Sequence, residues 1–476
     1  MRFNGHISLT ACCVYIFLTQ TVGAVSIFAA SLTLVTALNA PLFWCNIIIG
    51  ITGTLYTALG GLRGVVWTDC MQFLFILVAP TTVVLKIIID SFRPESMVQP
   101  FASLDWQRYI GNYSIDLTSD ETIWACLFGT LGLAAYRSCM DQVVTQRLLA
   151  CRTIKSARRT AVISALLLLL LYMTGFALGV AMTIWFRGCD PGLQGKIASV
   201  DQILPYYVNT YLVHVPGFLG LFLAGIVSAA TSTVSSTINS QAAILFVDVI
   251  SHHYKNAERH VLWITRGTAF ILGISMTIYS TLCAHMGSVT MVFIMVYNGI
   301  ASAFVGLCLL AMLFPFVHSK GAGVATLATI IYQILHVSRI IGSGRKPPKM
   351  DASLDFCPGN QSTLVVKLNS SEVTPEAIEE SFILFRVSYM WTSFFAVFAT
   401  VIIGIFVSFI TGETRKMNTP LHLCNDGAVR LWRYARLLDS EGKKVENAKT
   451  TTPMKVMHGS KIEGDNLLAG NDETCI

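Results

Sequence analysis

Apolar runs interrupted by short polar turns dominate the chain. A helix that crosses a bilayer needs ~20 mostly apolar residues. Ten stretches reach that length, at approximately 7–35, 41–60, 68–90, 121–146, 157–186, 216–249, 260–284, 288–315, 321–342 and 386–411. The fourth contains Gly129, Gly132, Arg137 and Asp141, so the pattern predicts a helix broken in its middle. Residues 200–213 alternate apolar and polar positions at helical spacing, and predict an amphipathic helix lying on one membrane face. The first run is too long for a secretory signal, whose apolar core spans ~7–15 residues. The prediction is an all-α polytopic membrane protein with about ten transmembrane helices over 1–411. Residues 412–476 form a polar tail expected to be disordered and cytoplasmic.

Composition agrees with this pattern. Of the 476 residues, 54% are hydrophobic and 13% charged, against ~25% charged in soluble domains. The net charge of +6 gathers in short loops and the tail, with no basic stripe of the kind that binds nucleic acid. Arg147, Arg152, Lys155, Arg158 and Arg159 follow the fourth run and mark that loop as cytoplasmic. Counting outward from it places 91–120, 187–215 and 343–385 outside the cell. The N-x-S sequons at Asn112, Asn360 and Asn369 all fall in those outer loops, as glycosylation would require. Arg345, Lys346 and Lys349 argue the other way for the last loop; the first cluster and the sequons decide.

The 13 cysteines show no metal-ligand spacing. Most sit in apolar runs, but Cys189 and Cys357 lie in polar outer loops, where a disulfide between them and two free thiols are both open readings. The last four residues, Glu473-Thr474-Cys475-Ile476, make Thr474 and Ile476 a candidate ligand for a PDZ-domain protein. No Walker A, HExxH, GxSxG or kinase motif is present, so the chain is expected to be neither an enzyme nor an ATP-driven pump.

Polar chemistry concentrates in residues 228–240, SAATSTVSSTINS, where eight of thirteen side chains are Ser or Thr. Two readings stand side by side. Small residues and hydroxyls suit tight helix packing in a membrane. A hard cation such as Na⁺ also prefers neutral oxygen ligands of this kind. Arg137 and Asp141, four residues apart, read either as a structural pair or as a mark of a pathway. Lys86 is expected to snorkel to the interface. Gly60-Gly61 is read as a helix stop, with Asp69 capping the next helix and Gln72 as its box partner.

Several motifs carry a resemblance. Tyr56 to Asp69 (YTALGGLRGVVWTD), with Gln72, resembles the signature turn of the sodium:solute symporter family. Asp141-Gln142 with Gln146-Arg147 is similar to that family's sequence at the inner end of its broken sixth core helix. Cys189-Asp190-Pro191, Asp201-Gln202 and Pro205-Tyr206, then Ser232-Thr233, Ile238-Asn239 and Val247-Asp248, resemble the branch of sodium-coupled monocarboxylate, multivitamin and iodide transporters. The match runs from about Arg2 to about Pro315, and Gly64 departs from it where the family has a residue such as alanine.

The resemblance implies a leucine-transporter-type inverted-repeat fold, with the ten runs as core helices three to ten plus two extra helices. It implies a sodium site from the Ala229 carbonyl and the Ser232 and Thr233 hydroxyls. On the family's template the chain begins just before core helix three, so the fold is expected to be N-terminally incomplete. The implied function is sodium-coupled symport of a small organic anion, a monocarboxylate or a carboxylate-bearing vitamin, across the plasma membrane. Its partners are then the anionic substrate, Na⁺ and membrane lipid, with no nucleic acid; the substrate-binding residues are unassigned. The alternative is a truncated, non-transporting isoform that regulates or scaffolds a full-length symporter.

Overall fold

The computed structural model describes residues 2–93, 111–120, 122–254, 257–285, 289–342, 352–357, 383–411 and 421–435. Among them, ten helices are long and apolar enough to cross a membrane. They are α1 (Gly5–Leu38), α2 (Leu42–Gly61), α3 (Gly64–Ser91), α4 (Ile123–Leu149), α5 (Ile154–Phe186), α6 (Phe218–His253), α7 (Glu258–Cys283), α8 (Val292–Leu313), α9 (Ser319–Gly342) and α10 (Tyr389–Ile410). A short helix, α11 (Asp426–Tyr434), follows in the tail. All ten apolar runs of the sequence are present, with ends shifted by a few residues.

α6 runs through the middle of one half of the bundle, packed on α1, α2, α3 and α7. Lipid tails are as apolar as leucine, so close packing rather than water exclusion must hold such helices together. The α2–α7 seam shows how. Gly50 of α2 faces Thr277 of α7, and Gly273 of α7 faces Thr54 of α2; a Cβ on either glycine would overlap the facing threonine. Each threonine turns its own hydroxyl back into its helix, Thr54 Oγ1 to Gly50 O at 2.7 Å and Thr277 Oγ1 to Gly273 O at 2.8 Å. The polar atoms are thus satisfied without crossing the seam.

α8, α9 and α10 form the other half. Thr400 donates to Thr329 at 3.1 Å, and Gln333 donates to the Thr392 carbonyl at 2.9 Å. α5 is the outlier, with almost none of its length buried. Leu166, Leu169, Met173 and Phe176 point outward along it, as a lipid-facing helix requires.

α2 turns into α3 at Gly61, whose φ of 58° and ψ of −163° are open only to glycine. Because one residue makes the whole turn, α3 restarts at Gly64. Asp69 therefore lies more than a turn inside α3 and caps nothing, contrary to the expectation from sequence. Lys86, near the end of α3, pairs through its Nζ with Asp90 Oδ2 at 2.5 Å. The segment 200–212 is helical and buries Tyr207, Val208 and Leu212 against Ile87, Phe186 and Phe222. Burial and the nearby Asp90 charge push the Tyr207 hydroxyl above its ordinary value.

Two further findings concern loops and tail. Cys189 and Cys357 are joined in a disulfide, and Gln194 Nε2 lies against both sulfurs at 3.0 and 2.9 Å. The tail was expected to be disordered throughout, yet residues 421–435 fold. Asn425 caps α11 through Gly427 and Ala428, while Val429 and Trp432 give it an apolar stripe to bury. Thr474 and Ile476 lie outside the described residues, as do Asn360 and Asn369.

Candidate functional site

The hydroxyl-rich turn of α6 meets the first turns of α3 beside the end of α4. Ser232 Oγ donates to Asp69 Oδ1 at 2.6 Å, and Ser236 Oγ to Asp69 Oδ2 at 3.4 Å. Arg147, in the last turn of α4, reaches Asp69 Oδ2 at 2.7 Å and Ser236 Oγ at 2.8 Å. Next to them, Gln72 Nε2 donates to Thr231 Oγ1 at 3.0 Å, and the Tyr56 hydroxyl to the Thr231 carbonyl at 2.7 Å. Three separate stretches of the signature turn and broken helix therefore converge on one patch of α6.

Thr233 Oγ1 donates to the Ala229 carbonyl at 2.9 Å. Ala229, Ser232 and Thr233 are all half-buried, unlike Ser235 and Ser240, which are fully enclosed. The eight hydroxyls thus divide. Thr231, Thr233, Ser235, Thr237 and Ser240 donate to carbonyls of their own helix, as hydroxyls in a packed membrane helix do. Ser232 and Ser236 instead turn toward a carboxylate. Ala229 O and Thr233 Oγ1 sit together within one turn of two half-buried residues, and neutral oxygens of this kind suit a hard cation.

The chemistry of Ser232 follows from its acceptor. Its proton goes to a charged acceptor in a charge-assisted hydrogen bond. Both hydroxyl lone pairs then face away from Asp69, and the polarised oxygen becomes a better ligand for a hard cation. Asp69 itself is held by Arg147, so the carboxylate is neither isolated nor fully neutralised.

The break in α4 is built around Asp141. Residues Tyr136–Met140 form a wide π turn, and Asp141 is extended, with φ −70° and ψ 125°. Its side chain caps the second half of the helix through Val143 N at 3.0 Å. The Tyr15 hydroxyl of α1 lies 3.1 Å from Asp141 Oδ1 and 2.9 Å from Ser240 Oγ of α6. No ion pair joins Arg137 to Asp141 among the described residues; Arg137 lies instead against Tyr297. The intervening π turn and the extended Asp141 replace the regular helical spacing that predicted a pair. Below this point Gln20 Nε2 donates to Gln241 Oε1 at 2.9 Å, and Gln241 Nε2 to Thr19 Oγ1 at 2.7 Å. These buried links between α1 and α6 complete the polar core.

Reading from sequence missed the roles of Asp69, Arg147, Tyr56 and Tyr15. A signal existed for Asp69, since an acidic residue in an apolar run usually has a partner in the protein. Nothing in the sequence named Ser232 as that partner.

A helix broken inside the membrane span, beside a turn of half-buried oxygens, is the architecture of a secondary transporter. The chain belongs to the sodium:solute symporter family, whose model matches residues 1–328. It is a membrane transporter rather than an enzyme, and sodium is its co-transported ion. It is 28% identical over 428 residues to mouse sodium-coupled monocarboxylate transporter 2, covering 87% of this chain and 67% of that one. It is 27% identical to the rabbit sodium-dependent multivitamin transporter, covering 87% and 66%. It is also 27% identical to the human sodium/iodide cotransporter, covering 99% and 73%. In fold it resembles a solved Na⁺-coupled sialic acid symporter in its substrate-bound outward-open state, with a TM-score of 0.64 at 18% identity, over 86% of this chain and 75% of that one. The architecture is the leucine-transporter type.

Proposed function

We propose that this chain carries out sodium-coupled symport of a small organic anion, a monocarboxylate or a carboxylate-bearing vitamin, across the plasma membrane. The Ala229 carbonyl and the Ser232 and Thr233 hydroxyls are the proposed sodium ligands. The observation that carries this reading is the Ser232–Asp69 hydrogen bond of 2.6 Å, which fixes the hydroxyl with its lone pairs free of the carboxylate. Asp69 supplies the fixed negative charge that a sodium ion at this turn needs. The substrate class rests on the named cargo of the monocarboxylate and multivitamin relatives. Each sodium ion entering the cell releases ~2.3 kcal/mol per 100 mV of membrane potential, which drives uptake of an anion against its gradient.

The orientation is part of the same proposal. The basic loop after α4, the α2–α3 turn and the C-terminus face the cytoplasm. Asn112, Asn360 and Asn369 face outward as glycosylation sites. Asn112 fits such a role, since it lies in the loop before α4 and bonds Ser114 of its own sequon at 2.8 Å.

The test is uptake of labelled short-chain monocarboxylate, biotin and iodide in cells expressing this chain, with and without sodium. The Ser232→Ala, Thr233→Ala double variant runs in parallel, and surface delivery is measured in both. Sodium-dependent uptake that collapses in the double variant is the expected result. Uptake unaffected by the double variant sinks the ion site. No uptake despite surface delivery sinks transport by this chain alone, and favours a regulatory role beside a full-length symporter.

A further inference from the structure

Outside the transport site, α11 presents a surface that nothing in the transport reading uses. It is docked where a membrane span ends. Asn425 N donates to Met312 O at 3.0 Å, and Trp432 Nε1 to Leu313 O at 2.7 Å. The Trp432 ring packs on Phe314 and Phe316, with centroids 5.5 and 5.2 Å apart. The Arg2 guanidinium caps the same stretch, reaching Pro315 O at 2.7 Å and Val317 O at 3.1 Å. The open carbonyls at the end of α8 are therefore met by groups from the start of the chain and from the tail. This fixes the height of α11 at the membrane boundary. Phe409, half exposed on α10, packs with a tilted ring against Phe316 at 5.6 Å. The apolar belt of the bundle thus continues through Phe316 to Trp432.

The other face of α11 is open. Val429 is buried and Trp432 half-buried, and at 100° per residue Arg430, Leu431 and Tyr434 fall on the opposite side. Leu431 is 60% exposed and Tyr434 89%. Arg430 and Arg433 are also exposed, and the single carboxylate of the helix, Asp426, sits at its N-terminus. Arginines interleaved with an exposed leucine and tyrosine at the height of the headgroups are the composition of an interfacial helix.

We propose that the outward face of α11 binds anionic phospholipid headgroups of the leaflet in which α8 ends, through Arg430 on that face and the exposed Arg433 on its flank, with Leu431 and Tyr434 entering the interface. The helix then ties the tail to the membrane at a fixed position beside the bundle. This needs only the membrane position of α8, so it stands or falls separately from the transport reading.

The test is backbone hydrogen exchange over 426–434 in the full chain, held in nanodiscs of phosphatidylcholine alone or of phosphatidylcholine with phosphatidylserine. Two arginines near an anionic surface should slow exchange about tenfold or more in the serine lipid, and raised salt should remove the difference. The Arg430→Gln, Arg433→Gln double variant should exchange alike in both lipids. Equal exchange of the unaltered chain in both lipids overturns the proposal, whatever the variant does. A lipid difference that survives the double substitution also overturns it, as does protection that follows protein density instead of lipid charge, which would place a second copy on this face.

Discussion

Asp69 accepts a 2.6 Å hydrogen bond from Ser232, across the seam between α3 and α6. The two residues are 163 positions apart in the chain, yet the carboxylate decides which way the hydroxyl points. Arg147 holds the other carboxylate oxygen at 2.7 Å. The end of the broken helix, the start of α3 and the hydroxyl turn of α6 therefore share one charged centre.

Replacing that charge while keeping its shape tests the centre directly. Hydrogen bonds to charged groups contribute ~1.5–3 kcal/mol, against ~0.5–1.5 for neutral ones. Asp69→Asn should raise the sodium concentration for half-maximal uptake roughly tenfold, with surface delivery unchanged. An unaltered sodium dependence would separate Asp69 from the ion site.

Tyr15→Phe should loosen the break in α4. The change removes the hydroxyl shared between Asp141 and Ser240 and leaves a buried carboxylate short of one donor, a loss of ~1–3 kcal/mol. The expected outcome is a lower melting temperature in detergent. A melting temperature equal to that of the unaltered chain would mean the hydroxyl does not brace the break.

Gly61 makes the α2–α3 turn at φ 58°, in a region that side chains with a Cβ reach at a cost of ~1–3 kcal/mol. Open space surrounds the position, so Gly61→Ala meets backbone strain and no clash. The variant should be less stable than Gly64→Ala, which has equally open surroundings and an ordinary helical φ. Equal melting temperatures for the two would refute the turn's dependence on glycine.

The disulfide predicts a redox-dependent labelling pattern. Maleimide applied to the native chain should leave Cys189 and Cys357 unmodified until reductant is added. Peptide mapping by mass spectrometry reads both states. Labelling of Cys357 without reductant would show that the bond is not formed in the membrane.

Much was legible from the chain because lipid imposes a severe rule. Every backbone polar group inside a bilayer must bond within its own element, so a run of ~20 apolar residues has almost no choice but a helix. The ten spans, the break at α4 and the unusual chemistry of 228–240 follow from that rule and from composition, and the symporter motifs lie in the sequence itself. Partnership was not legible. Helical spacing paired Arg137 with Asp141 and made Asp69 a cap, and both assignments assumed regular helices. A π turn before Asp141 and a one-residue turn at Gly61 changed the register on which those assignments depended. Which hydroxyls pack and which face a charge depends on what lies across the seam from each. The Asp69–Ser232 contact closes over 163 residues, and only the packed bundle brings its two ends together.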